Sequence, residues 1–185
     1  MSKASHDIPD GYTVKDHLVF GSRVPGLLEI KFHNPGKRNA ITTASNLLLV
    51  NLLENAQKDE SIKVIFLHGG LFYGAGTVLF QEDWLDSRTP DQKISYFVHC
   101  QVQLIKALNF CNKPIVGLIR GRAVGMSFNL TAAFDFIYLS PTAHCQLVFT
   151  PTLSSPFYCS TYNLPNQLGI RKSREMQLLS GSMTA

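Results

Sequence analysis

Two stretches of this 185-residue chain repeat one order of features: an apolar run, then glycines, then an apolar segment with helical spacing. The first stretch opens with KVIFLHGG at residues 63–70, and its glycines continue into the loop LFYGAGTVL. The second opens with KPIVGLIRG at residues 113–121 and continues into a helical pattern over about 125–134. Short apolar runs that end in glycine are typical of strands buried on both faces. The pattern therefore predicts an α/β fold.

The remaining periodicity predicts further elements around these two units. LLEIKF alternates apolar and polar residues and predicts a half-buried strand. A helix is expected after a cap at Thr42 or Thr43, and a longer one over about 94–110. FIYLS predicts another strand, residues 141–160 a loop with short strands, and residues 173–179 a last helix. Residues 1–26 are interpreted as a polar lead, and residues 27–185 as one domain.

Composition excludes several classes of protein. Hydrophobic residues make up 45% of the chain and charged residues 16%, which argues against disorder. The net charge of +4 comes from scattered lysines and arginines, so no nucleic-acid partner is predicted. The four cysteines have no metal-ligand or CxxC spacing, so no metal site is predicted. No apolar run reaches the roughly 18 residues of a membrane helix, and the amino end carries no targeting pattern.

The two glycine loops have a possible chemical use. Glycine lets the backbone approach a ligand closely, and helix N-termini carry N–H groups without intrahelical partners. Two such loops side by side could hold one anionic oxygen between two N–H donors, as an oxyanion hole does. The alternative is that the glycines serve only as tight turns between strands and helices, and spacing alone favours that interpretation.

Three segments carry a resemblance to a known family. They are NPGKRNAIT, KVIFLHGGLFYGAGTVL and KPIVGLIRGRAVGMSFNLTAAFDFIYLS. All three resemble segments of the enoyl-CoA hydratase/isomerase (crotonase) superfamily. The first resembles that family's asparagine–alanine turn, and the second its strand with an alanine–glycine loop. The third resembles its Lys-Pro strand, followed by a glycine turn, a buried helix and a closing aspartate. VGMS and SPFYCSTYNLP are most similar to segments of its peroxisomal Δ3,Δ2-enoyl-CoA isomerases.

The resemblance implies a crotonase-like spiral of strand-strand-helix turns that binds acyl-CoA between the two glycine loops. It implies that the backbone N–H groups of Thr77 and Met126 form the oxyanion hole for the thioester oxygen. A coenzyme A thioester would be the substrate or ligand, with no other cofactor. The residues implied in coenzyme A binding are Lys37, Arg38, Asn39, Ala40, Ala75, Gly76 and Gly125.

The family's catalytic glutamates have no counterpart in this chain. The matching positions hold Asn129, Phe149 and Phe157, and Tyr158 replaces the glycine after the last of them. No aspartate or glutamate occurs between Asp135 and Glu175, so no placement of gaps supplies the acid. Proton transfer needs a base of suitable pKa within hydrogen-bond reach, and the established mechanisms are therefore unsupported.

Several other residues are candidate substitutes for the missing acid or candidate structural residues. Glu82 and Asp83 follow the first glycine loop, where a solvated role is the simpler interpretation, and Val78 stands where most of the family has aspartate. His99 is interpreted as helix packing. His144 and Tyr158 lie near the vacant acid position in the sequence, and Asp135 is expected to tie backbone at the end of the buried helix.

Two hypotheses follow from the sequence. The first is an enoyl-CoA isomerase or hydratase of fatty-acid β-oxidation with impaired catalysis. The second is a non-catalytic protein that binds acyl-CoA or assembles, as a homo- or hetero-oligomer, with intact homologues. The match ends at SGSMTA, so the family's C-terminal helical trimerisation segment is expected to be absent and apolar surface exposed. The resemblance implies a peroxisomal location, with the cytosol as the alternative because no targeting signal was found.

Overall fold

The centre of the molecule is a sheet of six strands, in a computed structural model that describes residues 8–77 and 88–185. In chain order the strands of both sheets are β1 Thr13–Lys15, β2 Leu18–Gly21, β3 Leu27–Phe32, β4 Val64–His68, β5 Ile115–Ile119, β6 Arg122–Val124, β7 Phe136–Leu139, β8 His144–Gln146 and β9 Ser182–Thr184. The large sheet has the order β1-β2-β3-β4-β5-β7, and the small sheet has the order β6-β8-β9.

Helices lie between the strands of the large sheet and, near the C-terminus, between β8 and β9. They are α1 Thr43–Lys58, α2 Pro90–Asn109, α3 Met126–Asn129, α4 Ser160–Leu168 and α5 Ile170–Leu179, with 3-10 turns at Pro35–Lys37 and Leu130–Ala133. The Thr42 side chain caps α1 by accepting from the Ser45 N–H, which confirms the predicted helix start. A second capping box joins Thr89 and Gln92 at the start of α2.

The register of the sheet brings the two glycine loops to one edge. Strands β3, β4, β5 and β7 run parallel, with Leu67 opposite Gly117 and Gly117 opposite Ile137. Their carboxyl ends therefore lie at the same edge, and the loops after β4 and β5 begin there. Asp135 fixes the far end of this register, because its carboxylate accepts from the Ile115 N–H at 2.7 Å. It ties backbone as expected, at the start of strand β5.

Several elements differ from the sequence-based predictions. Residues 1–26 were assigned no element, whereas β1 and β2 extend the large sheet there and bury Leu18 and Val19. Strand β4 was predicted to be buried on both faces, but burial alternates: Ile65 and Leu67 are buried, while Phe66 is half-buried. One face packs into the core, and the other carries a polar cluster described below.

The C-terminal third also differs from prediction. Helix α4 was not predicted, because its polar composition and internal Pro165 hide the helical pattern. The buried helix after the second glycine turn is short, and the chain tightens into 3-10 geometry after Asn129. Residues 182–184 were assigned no element from the sequence, and they pair antiparallel with β8. Within the described ranges, no helix is both long and apolar enough to span a bilayer.

Candidate functional site

The first glycine loop is held in place by the NPGKRNA turn. Asn39 adopts a left-handed conformation with φ of 55°, and its Nδ2 donates to the carbonyl oxygens of Gly69 at 2.9 Å and Phe72 at 2.7 Å. Two backbone bonds complete the link, from Ala75 N–H to Arg38 O and from Ile41 N–H to Gly76 O. Asn39 was predicted to bind coenzyme A, and the structure shows that its side-chain amide is occupied in ordering this loop.

The second glycine turn packs directly against the first. The Gly76 N–H donates to Ser127 Oγ at 3.0 Å, and a Cβ added at Gly74 would lie 2.3 Å from the same oxygen. Glycine at position 74 is therefore required by a close approach, and Ser127 is the residue that joins the two turns. Gly125, with φ of 56°, turns the chain so that α3 begins at Met126.

Two backbone donors meet where these turns touch. A Cβ built on Gly76 would lie 3.6 Å from the Met126 nitrogen, so residues 76 and 126 are neighbours. The Thr77 hydroxyl also contacts the Met126 sulfur. Neither the Thr77 nor the Met126 N–H has an acceptor among the residues that the structure describes. The predicted juxtaposition of the two turns is confirmed, and it leaves two N–H donors unused.

Both donor residues line a cavity of about 580 Å³. Its first wall is the pair of glycine turns, its second is one face of α2, and its third is the segment 148–159. The lining residues are Ala75, Gly76, Thr77, Phe97, Val98, Gln101, Val102, Ile105, Gly125, Met126, Val148, Phe149, Thr152, Ser154, Phe157, Tyr158 and Cys159. Among these described lining residues there is no aspartate, glutamate, histidine, lysine or arginine, so the described part of the wall carries no charged side chain.

The three positions that match the family's acids converge beside this cavity. Phe149 and Phe157 both line it, with ring centroids 5.3 Å apart in an edge-to-face arrangement. Asn129 lies behind them, buried, and its Nδ2 donates to the Phe157 carbonyl at 2.9 Å. The structure thus brings together the positions that the resemblance selected, and each holds a side chain that cannot exchange a proton near neutral pH.

Tyr158 cannot replace the missing acid as a base. Burial raises the pKa of its hydroxyl well above the ordinary value, so the group stays protonated at physiological pH. Its O–H donates to Asn46 Oδ1 at 3.3 Å, which directs the proton into the core. The backbone at Tyr158 has φ of 61°, in the left-handed region that favours the glycine of the family motif.

The other candidate residues are not brought to the cavity. His99 is exposed on α2, and His144 lies in strand β8 between Arg122 and Thr184, so neither lines the cavity. Lys37 and Arg38 are exposed at the NPGKRNA turn, while Ala40 is buried. Glu82, Asp83 and Val78 lie outside the described residues. In the described part of the chain, no group of three or more His, Cys, Asp or Glu side chains is arranged to hold a metal.

Gln101 and Cys159 are among the lining residues that were not selected as site residues from the sequence. Gln101 lies on α2 among Phe97, Val98, Val102 and Ile105, and Cys159 is exposed at the start of α4. The spacing of Phe97, Gln101 and Ile105, four residues apart, places them on one helix face. That spacing was a usable signal, although it does not tell which face meets a cavity and which meets the core.

A buried polar cluster lies on the other side of strand β4, away from the cavity. Glu29 accepts from the Tyr12 hydroxyl at 2.5 Å, from His68 Nε2 at 2.9 Å and from Arg23 Nε at 2.9 Å. The Gly70 N–H donates to His68 Nδ1, which assigns the proton of the neutral ring to Nε2. This carboxylate is fully engaged by its partners and takes no part in the site.

Burial and hydrogen bonding shift both titratable groups of this cluster. Burial raises the pKa of Glu29, but hydrogen bonds from Tyr12 and His68 and the charge of Arg23 lower it by more. The net pKa of Glu29 lies below its ordinary value. Burial also lowers the pKa of His68, and it outweighs the opposite effect of the Glu29 carboxylate. The pair is therefore an ionised carboxylate with a neutral imidazole at pH 7.

The fold and the paired turns define a crotonase-type domain. A solved enoyl-CoA hydratase from Bacillus anthracis superposes with a TM-score of 0.81 at 20% identity, over 91% of this chain and 65% of that one. Residues 23–185 match the enoyl-CoA hydratase/isomerase family. The chain belongs to that family.

Curated relatives of the same family are similar along most of the chain. Enoyl-CoA delta isomerase 3, peroxisomal, of Mus musculus is 30% identical over 179 residues, which cover 92% of this chain and 53% of the relative. Enoyl-CoA delta isomerase 2 of Rattus norvegicus is 29% identical over 176 residues, 95% of this chain and 45% of the relative. The chain thus spans about half the length of these relatives.

Proposed function

We propose that this protein binds acyl-CoA thioesters in the cavity, with the thioester oxygen between the N–H groups of Thr77 and Met126. The observation that carries the proposal is that these two donors are neighbours, line one cavity and have no acceptor among the described residues. The cavity volume of about 580 Å³ lies within the range of roughly 300–1,000 Å³ found for ligand sites. Its apolar walls suit an acyl chain.

The nucleotide part of the ligand would lie at the NPGKRNA turn. Lys37 and Arg38 are exposed there, and their positive charges suit the phosphates of coenzyme A. Asn39 would act indirectly, by holding this turn against Ala75 and Gly76. In this arrangement the ligand is a coenzyme A thioester, and no further cofactor is part of the proposal.

The chemistry available to such a complex is limited because the described residues of the cavity wall include no base. Hydrogen bonds to the thioester oxygen acidify the neighbouring C–H bonds and stabilise an enolate. Moving a double bond or adding water then requires a group that removes or delivers a proton. Asn129, Phe149 and Phe157 occupy the family's acid positions, and Tyr158 stays protonated. We therefore propose an enoyl-CoA isomerase or hydratase homologue of fatty-acid metabolism with impaired catalysis.

A non-catalytic role is the second candidate, because the donors are present while the acids are not. The protein would then bind acyl-CoA without turnover or assemble with intact homologues. Strand β7 is consistent with assembly, since Phe136 and Tyr138 are exposed on it at 55% and 62%. A peroxisomal location is proposed on similarity to the relative from Mus musculus, whose name states that location.

A pair of substitutions at one position tests the binding proposal. Met126→Pro removes the N–H at the first position of α3, where proline fits the helix and no protein hydrogen bond is lost. Met126→Ala removes a similar amount of side chain and keeps the N–H. Calorimetric titration with octanoyl-CoA is expected to show about tenfold or greater weakening for the proline variant relative to the alanine variant. Equal affinities in the two variants would exclude Met126 as a donor to the ligand.

A further inference from the structure

Three apolar residues form an exposed ridge along helix α2. They are Ile94, Val98 and Val102, spaced four residues apart and exposed at 55%, 50% and 39%. Residues at this spacing share one helix face, and this set is here called the α2 ridge. From residue 91 to residue 109, the other exposed residues of α2 are polar. Contact of adjacent apolar side chains with water is unfavourable, so a ligand that covers the ridge gains binding energy.

The α2 ridge is continuous with the wall of the cavity. Val98 and Val102 line the cavity, and Ile94 lies about one helical turn before Phe97, where the lined part of α2 begins. That lined part ends at Ile105, so it is about 12 Å long, and the ridge extends it by about 4.5 Å. The apolar surface therefore passes from inside the cavity to solvent along one face of α2.

We propose that the α2 ridge carries the distal part of a long acyl chain, whose first carbons lie in the cavity and whose methyl end points toward Ile94. This inference rests on the proposed acyl-CoA binding and names the length class of its substrate. An extended chain advances by about 1.2 Å per bond, so an eight-carbon chain spans about 8 Å and fits against the lined part of α2. A fourteen-carbon chain spans about 16 Å and reaches the turn of Ile94.

The chemistry of the ridge favours a hydrocarbon chain over a protein partner. The ridge has no hydrogen-bonding side chain, and the described lining residues beside it include no charged one. Three half-exposed aliphatic side chains offer far less than the roughly 800 Å² per partner that a standard protein interface buries. A chain of methylenes needs only a narrow apolar track, and each methylene half-buried against the ridge should tighten binding by about twofold.

The test is a calorimetric titration with saturated acyl-CoA esters of eight, ten, twelve and fourteen carbons, below their critical micelle concentrations. For the unmodified protein, affinity should rise along this series, by about tenfold or more between octanoyl-CoA and tetradecanoyl-CoA. In Ile94→Gln, tetradecanoyl-CoA should bind about three- to tenfold more weakly, while octanoyl-CoA, which does not reach that turn, should bind as before. Ile170→Gln is the matched control, because Ile170 is 51% exposed at the start of α5 and does not line the cavity; both affinities should be unchanged.

The outcomes separate this inference from the one on which it rests. If octanoyl-CoA binds and affinity does not rise with chain length, the ridge carries no acyl chain although the acyl-CoA site stands. An undiminished affinity for tetradecanoyl-CoA in Ile94→Gln, an equal loss for both esters there, or the same loss in Ile170→Gln would overturn the assignment to the ridge. Failure of every ester to bind the unmodified protein would overturn both proposals.

A second measurement distinguishes the acyl chain from a second copy of this chain as the occupant. Sedimentation equilibrium without ester should give the same molecular mass for the unmodified protein and for Ile94→Gln. Self-association that Ile94→Gln abolishes would assign the ridge to a protein contact and overturn the proposal. Because the chain-length series uses the unmodified protein, it does not depend on the folding of any variant.

Discussion

The two sides of the cavity differ in the groups that they present, backbone N–H groups on one side and side chains on the other. On one side, the glycine turns at 74–77 and 121–126 present backbone N–H groups of Thr77 and Met126. On the other side, Phe149 and Phe157 present aromatic side chains with Asn129 buried behind them, at the positions that the resemblance matches to the family's glutamates. The first side presents hydrogen-bond donors whatever its side chains are. The second side presents no acid group among its described residues.

This difference has a physical cause. A backbone donor depends on the conformation of the chain, which Gly76, Gly125 and the Gly76–Ser127 hydrogen bond maintain here. Exchange of the side chain at Thr77 or Met126 leaves that donor in place. A catalytic carboxylate is itself a side chain, and a single substitution removes it while the surrounding residues repack. Phe149 and Phe157 fill the space with ring contacts and keep the wall intact.

The largest expected effect of this asymmetry is on catalysis. Turnover of a 3-enoyl-CoA should be about 10²–10⁴ times slower than with an intact homologue, because a positioned general base contributes that factor. A spectrophotometric isomerase assay at high protein concentration measures this, with the rat enoyl-CoA delta isomerase 2 as comparator. Ordinary turnover would show that a base does exist, and Glu82→Gln, Asp83→Asn, His144→Ala and Cys159→Ser would identify it.

A substitution in the first glycine turn should weaken acyl-CoA binding without affecting distant parts of the fold. Gly76→Ala places a Cβ 3.2 Å from Val124 O and 3.6 Å from the Met126 nitrogen, at a φ of 88° that alanine rarely adopts. Affinity for octanoyl-CoA should fall about ten- to a hundredfold. Gly169→Ala is the matched control, with φ of 76° and open space around its Cβ. It should lose stability and retain affinity; equal affinities in both variants would contradict the role of the first turn.

A glutamate introduced at position 157 should recover part of the isomerase activity. Phe157→Glu together with Tyr158→Gly restores the family's acid and relieves the left-handed backbone at position 158, where φ is 61°. The double variant should isomerise a 3-enoyl-CoA about tenfold or more faster than the unmodified protein. Phe157→Glu alone should gain less, because Tyr158 still crowds the turn. Tyr158→Gly alone, which adds no acid, should show no gain in the same assay.

The smallest effect on ligand binding in the cavity is expected from a substitution in the cluster around Glu29. Glu29→Gln removes a charge that accepts from Tyr12, His68 and Arg23, and should lower the free energy of unfolding by about 1.5–3 kcal/mol at pH 7. Glu54→Gln, on the exposed face of α1, is the control and should change little. Urea denaturation measures both. Altered octanoyl-CoA affinity in Glu29→Gln would show that the cluster and the cavity are coupled.

The same cluster predicts how stability depends on pH. The pKa values of His68 and Glu29 are both lowered in the folded protein, so the unfolded chain binds more protons as the solution is acidified. Stability is therefore expected to fall as the pH drops through about 6.5, the ordinary value for histidine, and further below about 4.3, that for glutamate. Denaturation series at several pH values measure this. His68→Gln should remove the upper step, and persistence of that step would assign it elsewhere.

The sequence by itself was enough to predict the framework. Apolar runs followed by glycines predicted β4 and β5 with their turns, and a cap at Thr42 or Thr43 predicted the start of α1. The resemblance extended this to the family and the spiral fold. These features could be predicted because strand periodicity, capping and glycine turns are local properties that neighbouring residues determine. The absence of carboxylates between Asp135 and Glu175 was equally plain from the sequence.

Other features were decided only by the tertiary structure. Residues 13–21 looked polar, but strand pairing with β3 buries Leu18, and pairing with β8 makes a strand of residues 182–184. Gln101 is one of several polar residues on α2, and only the tertiary structure makes it a residue of the cavity wall. Pairing and cavity contacts join residues that are far apart in the chain, so no local pattern encodes them.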